Sequence, residues 1–126
     1  YAQKHPELFC VAYAMSALVD NPASRILDPN DNSIWTAMRR SAVENSCVVF
    51  VRDASDQTLE QLKTVKWFVD CGDEDHLLGV NLDFVRMMQD KAIPFELRIR
   101  DGVHDWEYWH SALYICLPYL SRNFAD

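Results

Sequence analysis

The sequence has few glycines and few basic residues. Its three glycines (Gly72, Gly79 and Gly102) leave no serine with a glycine two positions away on either side, so no Gly-x-Ser-x-Gly segment occurs. Twelve basic residues stand against nineteen acidic ones, the net charge is −7, and the basic residues cluster only at Arg39-Arg40. This charge balance argues against nucleic acid and anionic membrane surfaces as partners.

Long apolar runs and metal-type cysteine pairs are also missing. No segment approaches the roughly 20 apolar residues that a membrane-spanning helix requires. With 126 residues, 49% of them apolar and 25% charged, the chain is typical of one globular domain or part of one. We expect buried free thiols, no metal site and no cofactor, because no Cys-x-x-Cys pair occurs and the cysteines stand in apolar stretches: Cys10, Cys47, Cys71 and Cys116.

Apolar segments of strand length alternate with helical periods along the chain. The runs near 9–15 and 65–71 are almost wholly apolar, as in parallel strands that are covered on both faces. Residues 95–100 alternate apolar and polar side chains, which indicates a strand nearer the edge of a sheet. The sequence therefore predicts an α/β fold with three parallel strands near 9–15, 65–71 and 95–100 and with flanking helices.

Capping and turn residues place the helices between these strands. Turn residues between Val19 and Asn32 indicate a loop, and Ser33 caps a predicted helix that ends near Asn45. A second helix is predicted over about 77–91. A third runs from 105 to about 123, and Pro118 should kink or interrupt it.

Two motifs in the second half of the chain resemble a known family. The segment CGDEDHL, followed by an Asn-containing helix and then RDGVHDWEYW, is similar to the α/β-hydrolase esterases. That family includes esterase D, feruloyl and acetyl-xylan esterases and mycolyltransferases. The opening YAQKHPELFCVAYAMSAL resembles the segment that follows the nucleophile in such enzymes. The resemblance covers nearly the whole chain and implies that residues 1–126 are the C-terminal portion of a single α/β-hydrolase domain.

The resemblance implies the acid and the base of a Ser-His-Asp triad. Asp75 follows the Gly of the CG-x-x-D turn, and His104 stands in the G-x-H segment before the last helix. One helix and one strand separate them, so both should lie at the carboxyl ends of neighbouring strands, where such chemistry collects. Asp73 and Glu74 compete for the acid role. The alternative is that Asp75 only caps a helix and His104 is an ordinary loop residue.

The nucleophile itself is not in this sequence. Ser16, in AMSAL, lacks flanking glycines and is more typical of a strand end. Residue 1 is Tyr rather than Met and falls where the helix after the nucleophile should be under way. We therefore expect the nucleophile-bearing N-terminal portion to be absent from this chain, and the sequence does not assign a compartment.

Aromatic and acidic residues near His104 allow further interpretations. Trp106 and Trp109 either line an acyl or sugar pocket by stacking or anchor the last helix in the core. The acids around the CG-x-x-D turn raise the question of calcium, but the spacing of an EF-hand loop is absent, so no metal is predicted. The remaining histidines are expected at the surface or as capping residues: His5, His76 and His110.

Two function classes follow from this sequence. One is a serine carboxylesterase acting on small acyl or carbohydrate esters; the alternative is a non-catalytic relative or fragment that acts as an interaction module.

The predicted strand between Phe9 and Ser16 contains neither a charged residue nor a proline, the residues that usually keep other chains from pairing with an exposed strand edge. We expect the N-terminal half, or a second copy of the chain, to cover that edge. Residues 47–52 (CVVFVR) read as a strand by β-branched content, whereas the relatives have a short helix or turn there, and we follow the relatives.

Overall fold

The computed structural model describes residues 1–22 and 30–124, so the predicted loop between Val19 and Asn32 lies partly outside the described residues. No helix in these two ranges is both long enough and apolar enough to cross a bilayer. In chain order the elements are a 3₁₀ turn (Pro6–Leu8), β1 (Val11–Met15), α1 (Ile34–Glu44), α2 (Cys47–Arg52), α3 (Asp56–Leu62), β2 (Lys66–Gly72), α4 (Leu78–Asp90), β3 (Phe95–Arg100) and α5 (Trp106–Asn123).

The three strands form one parallel sheet in the order β1-β2-β3. Met15 of β1 pairs with Asp70 of β2, and Gly72 pairs with Arg100 at the end of β3. The parallel pairing confirms the predicted α/β class. As its alternating pattern indicated, β3 is the most exposed of the strands, with Leu97 and Ile99 each about two-fifths exposed.

Helices cover both faces of the sheet. On one face, the alternate β2 residues Trp67 and Val69 pack with α2 and α4 in the larger apolar core. The opposite face packs against α5, where Phe68 stacks on Tyr13 with ring centroids 4.5 Å apart and meets Tyr119 edge-on. Because the β2 side chains from Trp67 to Cys71 are buried on one face or the other, the strand reads as an almost wholly apolar run.

Serine caps fix the starts of the three helices that the structure describes between residue 30 and β2. The hydroxyl groups of Ser33, Ser46 and Ser55 each accept the backbone N–H three residues further on, at 3.1–3.2 Å. Residues 47–52 are therefore helical, as the resemblance implied and against their β-branched content. A cap satisfies helix N–H groups that otherwise lack partners, and here it outweighs the weak strand preference of valine.

Three details differ from the sequence predictions. β1 begins at Val11 rather than at residue 9, because the 3₁₀ turn holds the preceding residues outside the sheet. Cys10 is therefore exposed, and its prediction as a buried thiol is wrong; Cys71 and Cys116 are buried and free, as predicted. Helix α5 is not interrupted by Pro118 but continues to Asn123.

Candidate active site

A tight turn after β2 presents Asp75. The Asp75 N–H donates to the carbonyl of Gly72 at 3.3 Å, and the Asp75 carbonyl accepts from Leu78 at 2.9 Å. Its carboxylate accepts the N–H of Leu77 at 2.8 Å. The side chain is fully buried, because the turn folds it back over the start of α4. Asp75 therefore fixes the turn that leads into α4 and also aims a buried carboxylate at the next strand end.

The loop after β3 lies directly against that turn because of two glycines. A Cβ atom at Gly72 would stand 2.2 Å from the carbonyl oxygen of Gly102 and 2.7 Å from its carbon, so no larger residue fits between the two backbones. Gly102 has a φ of +145°, which side-chain-bearing residues rarely adopt, and a Cβ there would lie 2.5 Å from the Tyr108 ring. These contacts set the path of the chain two residues before His104.

The two loops bring His104 and Asp75 together. His104 Nδ1 lies 2.9 Å from Oδ2 and 3.2 Å from Oδ1 of Asp75, and the imidazole is 30% exposed. This contact, at the carboxyl ends of adjacent parallel strands, is the one the sequence predicted. With Nδ1 engaged by the carboxylate, Nε2 is the ring nitrogen that can exchange a proton with a reacting group.

The local electrostatics keep the Asp75 carboxyl ionised. Burial alone would raise its pKa, but hydrogen bonds from the Leu77 amide and from His104, together with the charge on the imidazole, outweigh burial and lower the pKa below its ordinary value. Cys71, behind the turn, shows the opposite effect: burial, with the nearby Asp75 charge, raises the pKa of its thiol to about 11. The thiol is therefore protonated at neutral pH and does not serve as a nucleophile.

The competing acids of the turn have other geometry. Asp73 is exposed, and its Oδ1 accepts the N–H of Gly102 at 3.1 Å. Glu74 is also exposed, and its backbone N–H donates to the Gly102 carbonyl at 3.1 Å. Of the three acids that the sequence left open, Asp75 is the one whose carboxylate meets the imidazole.

Two rings, of His76 and Trp109, contact the His104 imidazole. Trp109 stands nearly perpendicular to the imidazole at 4.9 Å between ring centroids, and the His76 ring meets it edge-on at 4.6 Å and an angle of 64°. Trp106 lies 5.1 Å from Trp109 and is 71% exposed, so it contributes little to the core. Of the two tryptophans, Trp106 is thus the one open to a ligand, while the half-buried Trp109 supports the imidazole.

His76 was missed by the sequence interpretation. Its ring is exposed, as predicted for a surface histidine, but it contacts His104 and its Nδ1 lies 3.6 Å from Asp75 Oδ1. The available signal was its position next to Asp75, since a neighbour of a site residue on a tight turn cannot lie far from the site.

Asp75, His76 and His104 also bring one ligand atom each within 4.8 Å of one another, a set that suits a transition metal.

A buried carboxylate in β2, that of Asp70, supports the site through hydrogen bonds. Asp70 is fully buried, accepts hydrogen bonds from the hydroxyls of Tyr13 and Tyr108, and lies 3.5 Å from Arg100 Nε. Burial, reinforced by the Asp70 charge, raises the pKa of both phenols, so both remain donors. Because the Tyr108 ring presses on Gly102, this network holds the His104 loop against β2.

Ser16 is not presented as a nucleophile. It ends β1 with a φ of +44°, its N–H donates to the carbonyl of Asp70 at 2.8 Å, and only 5% of the residue is exposed. A nucleophile must be open to substrate and within reach of the base. That the nucleophile lies outside this chain stays a prediction.

Comparisons with known proteins agree with this geometry. Residues 1–120 match the sequence profile of the Esterase family, described as "Putative esterase". A solved structure of a ferulic acid esterase is 47% identical with a TM-score of 0.91, over 99% of this chain and 47% of that one. No protein of curated function matches the sequence significantly.

Two more distant structures share the fold. An S-formylglutathione hydrolase from Staphylococcus aureus is 20% identical with a TM-score of 0.64, over 94% of this chain and 44% of that one. A fluorophosphonate-binding serine hydrolase from the same organism is 22% identical with a TM-score of 0.65, over 94% of this chain and 47% of that one. The chain thus spans about half the length of the structures it matches. With the family profile matched over residues 1–120 and this parallel sheet, the chain belongs to the Esterase family of α/β-hydrolases.

Proposed function

We propose that this chain supplies the acid, Asp75, and the base, His104, of a serine carboxylesterase. The observation that carries the proposal is the 2.9 Å contact between His104 Nδ1 and the buried Asp75 carboxylate at adjacent strand ends. The serine and the oxyanion-hole amides come from the N-terminal portion of the hydrolase domain, which is absent from this chain. Family membership and the ferulic acid esterase similarity support an ester as the substrate.

In this mechanism His104 Nε2 takes the proton of the serine hydroxyl as its oxygen attacks the ester carbonyl. The imidazolium that forms is stabilised by Asp75, which also fixes the proton on Nδ1. His104 then gives the proton to the departing alcohol, and an acyl-serine remains. Water attacks the acyl-serine with His104 again as the base, which releases the acid and restores the serine. Each step needs Asp75 to stay ionised, as its lowered pKa provides.

The substrate class we propose is a small acyl or carbohydrate ester. The exposed Trp106 offers a flat apolar face close to the imidazole, through Trp109. An indole face suits an aromatic acyl group or the apolar side of a sugar ring. The similar ferulic acid esterase, by its name, acts on an ester with an aromatic acyl group, which favours stacking on Trp106.

We propose that the N-terminal half of the domain covers the open edge of β1. β1 and β3 are the outer strands of the sheet in the described part of the chain, so one side of β1 has unpaired backbone groups. On the outer face of α5, Leu113, Tyr114 and Leu117 form an exposed apolar stripe, which also needs cover. This stripe is what supports the alternative function, an interaction module. A second copy of the chain on the same edge would appear as a homodimer in light scattering.

Replacing the proposed base tests the function. In the protein that joins this chain to its nucleophile-bearing half, His104→Ala should reduce kcat/KM for methyl ferulate and p-nitrophenyl acetate by roughly 10³-fold or more. His5→Ala is the matched control, because His5 is exposed and precedes β1, at the opposite end of the strands from the site. Full activity of the His104 variant, with its melting temperature unchanged, would reject the assignment.

A further inference from the structure

The loops that carry Asp75 and His104 are joined by hydrogen bonds just beyond the carboxyl ends of β2 and β3. The last paired residues of β2 and β3 are Gly72 and Arg100. Beyond them, the Asp73 N–H donates to the Arg100 carbonyl at 2.9 Å and the Glu74 N–H donates to the Gly102 carbonyl at 3.1 Å. The pairing of the two strands therefore continues into the loops, by two backbone bonds.

A third bond in this series comes from a side chain. Gly102 N–H donates to Oδ1 of Asp73 at 3.1 Å, so the carboxylate provides the acceptor for this amide. Both backbone groups of Gly102 are thus hydrogen-bonded: its N–H donates to the Asp73 side chain, and its carbonyl accepts from the Glu74 amide. His104 follows two residues later. Its contacts with Asp75 depend on where the Gly102 backbone lies.

We propose that Asp73 is a positioning residue, which holds the His104 loop in register with Asp75 through its hydrogen bond to Gly102. This inference rests on the proposed function of the Asp75–His104 pair. Asp73 acts through its oxygen rather than through its charge, because the side chain is exposed and its charge is screened by solvent. The sequence interpretation had left Asp73 as a competitor for the acid role, and its geometry gives it this second role instead.

The consequence for turnover follows from the geometry of the pair. His104 Nδ1 lies at hydrogen-bond distance from both oxygens of Asp75, 2.9 and 3.2 Å, and a shift of the loop lengthens both contacts. Misplacement of a reacting group by about 1 Å costs on the order of 100-fold in rate. Loss of the Asp73 bond should allow part of that shift. It should act on kcat rather than on KM, because the lost bond joins Asp73 to the Gly102 backbone and not to the proposed substrate surface at Trp106.

Two conservative substitutions separate the oxygen from the charge. Asp73→Asn keeps an oxygen acceptor at the same position and removes the charge, and Asp73→Glu keeps the charge and moves the oxygen. In the protein joined to its nucleophile-bearing half, we expect Asp73→Asn to retain kcat within about threefold, and Asp73→Glu and Asp73→Ala to lower it roughly tenfold or more, with KM for p-nitrophenyl acetate nearly unchanged. Asp83→Asn, which removes an exposed charge of α4 outside both loops, should leave kcat unchanged.

Proton NMR supplies a readout that is independent of turnover. In the wild type and in Asp73→Asn, the His104 Nδ1 proton should be protected by Asp75 and give a resolved downfield resonance; in Asp73→Glu it should broaden by exchange with water. Equal kcat for the wild type and Asp73→Glu, or equal losses in Asn and Glu variants, would overturn the proposal. If instead His104→Ala leaves turnover intact, the proposed function fails, while the NMR comparison still reports whether Asp73 holds the loop.

Discussion

Substitution of Gly72 by alanine tests how the two loops are held together. The added Cβ would stand 2.2 Å from the Gly102 carbonyl oxygen, against an ordinary contact of about 3.5 Å, so the loops must separate by roughly 1 Å. The added methyl group meets backbone atoms rather than a flexible side chain, so no side-chain rotation can relieve the contact. We expect a loss of about 1–3 kcal/mol in the free energy of unfolding, as for other overpacked sites. The same shift should lower kcat on the order of 100-fold.

Gly79→Ala is the matched control for this prediction. Gly79 lies in α4, and a Cβ there meets nothing within 4 Å, so the same chemical change is made without a clash. Alanine is the better helix former by roughly 0.5–1 kcal/mol, so this variant should be as stable as the wild type or more so. Urea denaturation and steady-state kinetics on the protein joined to its nucleophile-bearing half measure both effects. Equal stability and equal kcat for the two alanine variants would refute the close-approach argument.

Three further predictions concern the acid, a thiol and an indole. The pKa of Asp75 is lowered in the folded state, so the ionised carboxylate stabilises the fold above about pH 4, and this stabilisation is lost as the pH falls through the folded-state pKa. The difference in Tm between the wild type and Asp75→Asn should therefore shrink as the pH falls through that range. A difference that stays constant would contradict this prediction. Cys71, with its buried thiol and a pKa of about 11, should resist iodoacetamide at neutral pH while exposed Cys10 reacts, as peptide mass mapping would show; equal rates would be inconsistent. Trp106→Ala should raise KM for methyl ferulate several-fold more than for p-nitrophenyl acetate, and a uniform change would argue against stacking.

The strand pattern and the site pair were readable from the sequence. β3 occupies residues 95–100 as predicted, because its alternation matches a strand that is exposed at a sheet edge. The Asp75–His104 contact followed from the resemblance and from strand topology, since the carboxyl ends of adjacent parallel strands lie side by side. Their catalytic roles remain a proposal, as does the stacking role of Trp106.

What the sequence could not give depends on contacts between distant residues. The β-branched content of residues 47–52 favours a strand, and only the resemblance predicted the helix that packing and the Ser46 cap stabilise. The role of Asp73 requires knowing that Gly102 lies beside it, and no local pattern records that approach. The bond to Asp70 that fixes Tyr108 likewise joins residues on β2 and α5, which sequence spacing alone does not bring together.

The proposed division of the active site between this chain and an N-terminal half is tested most directly by reconstitution. The chain should be assayed alone, and again when co-expressed with the segment that precedes it in its natural gene, with p-nitrophenyl acetate and a fluorophosphonate label. We expect no hydrolysis by the chain alone, and in the assembly we expect hydrolysis with labelling of one serine in the added segment. Hydrolysis by the chain alone that Ser16→Ala abolishes would contradict it.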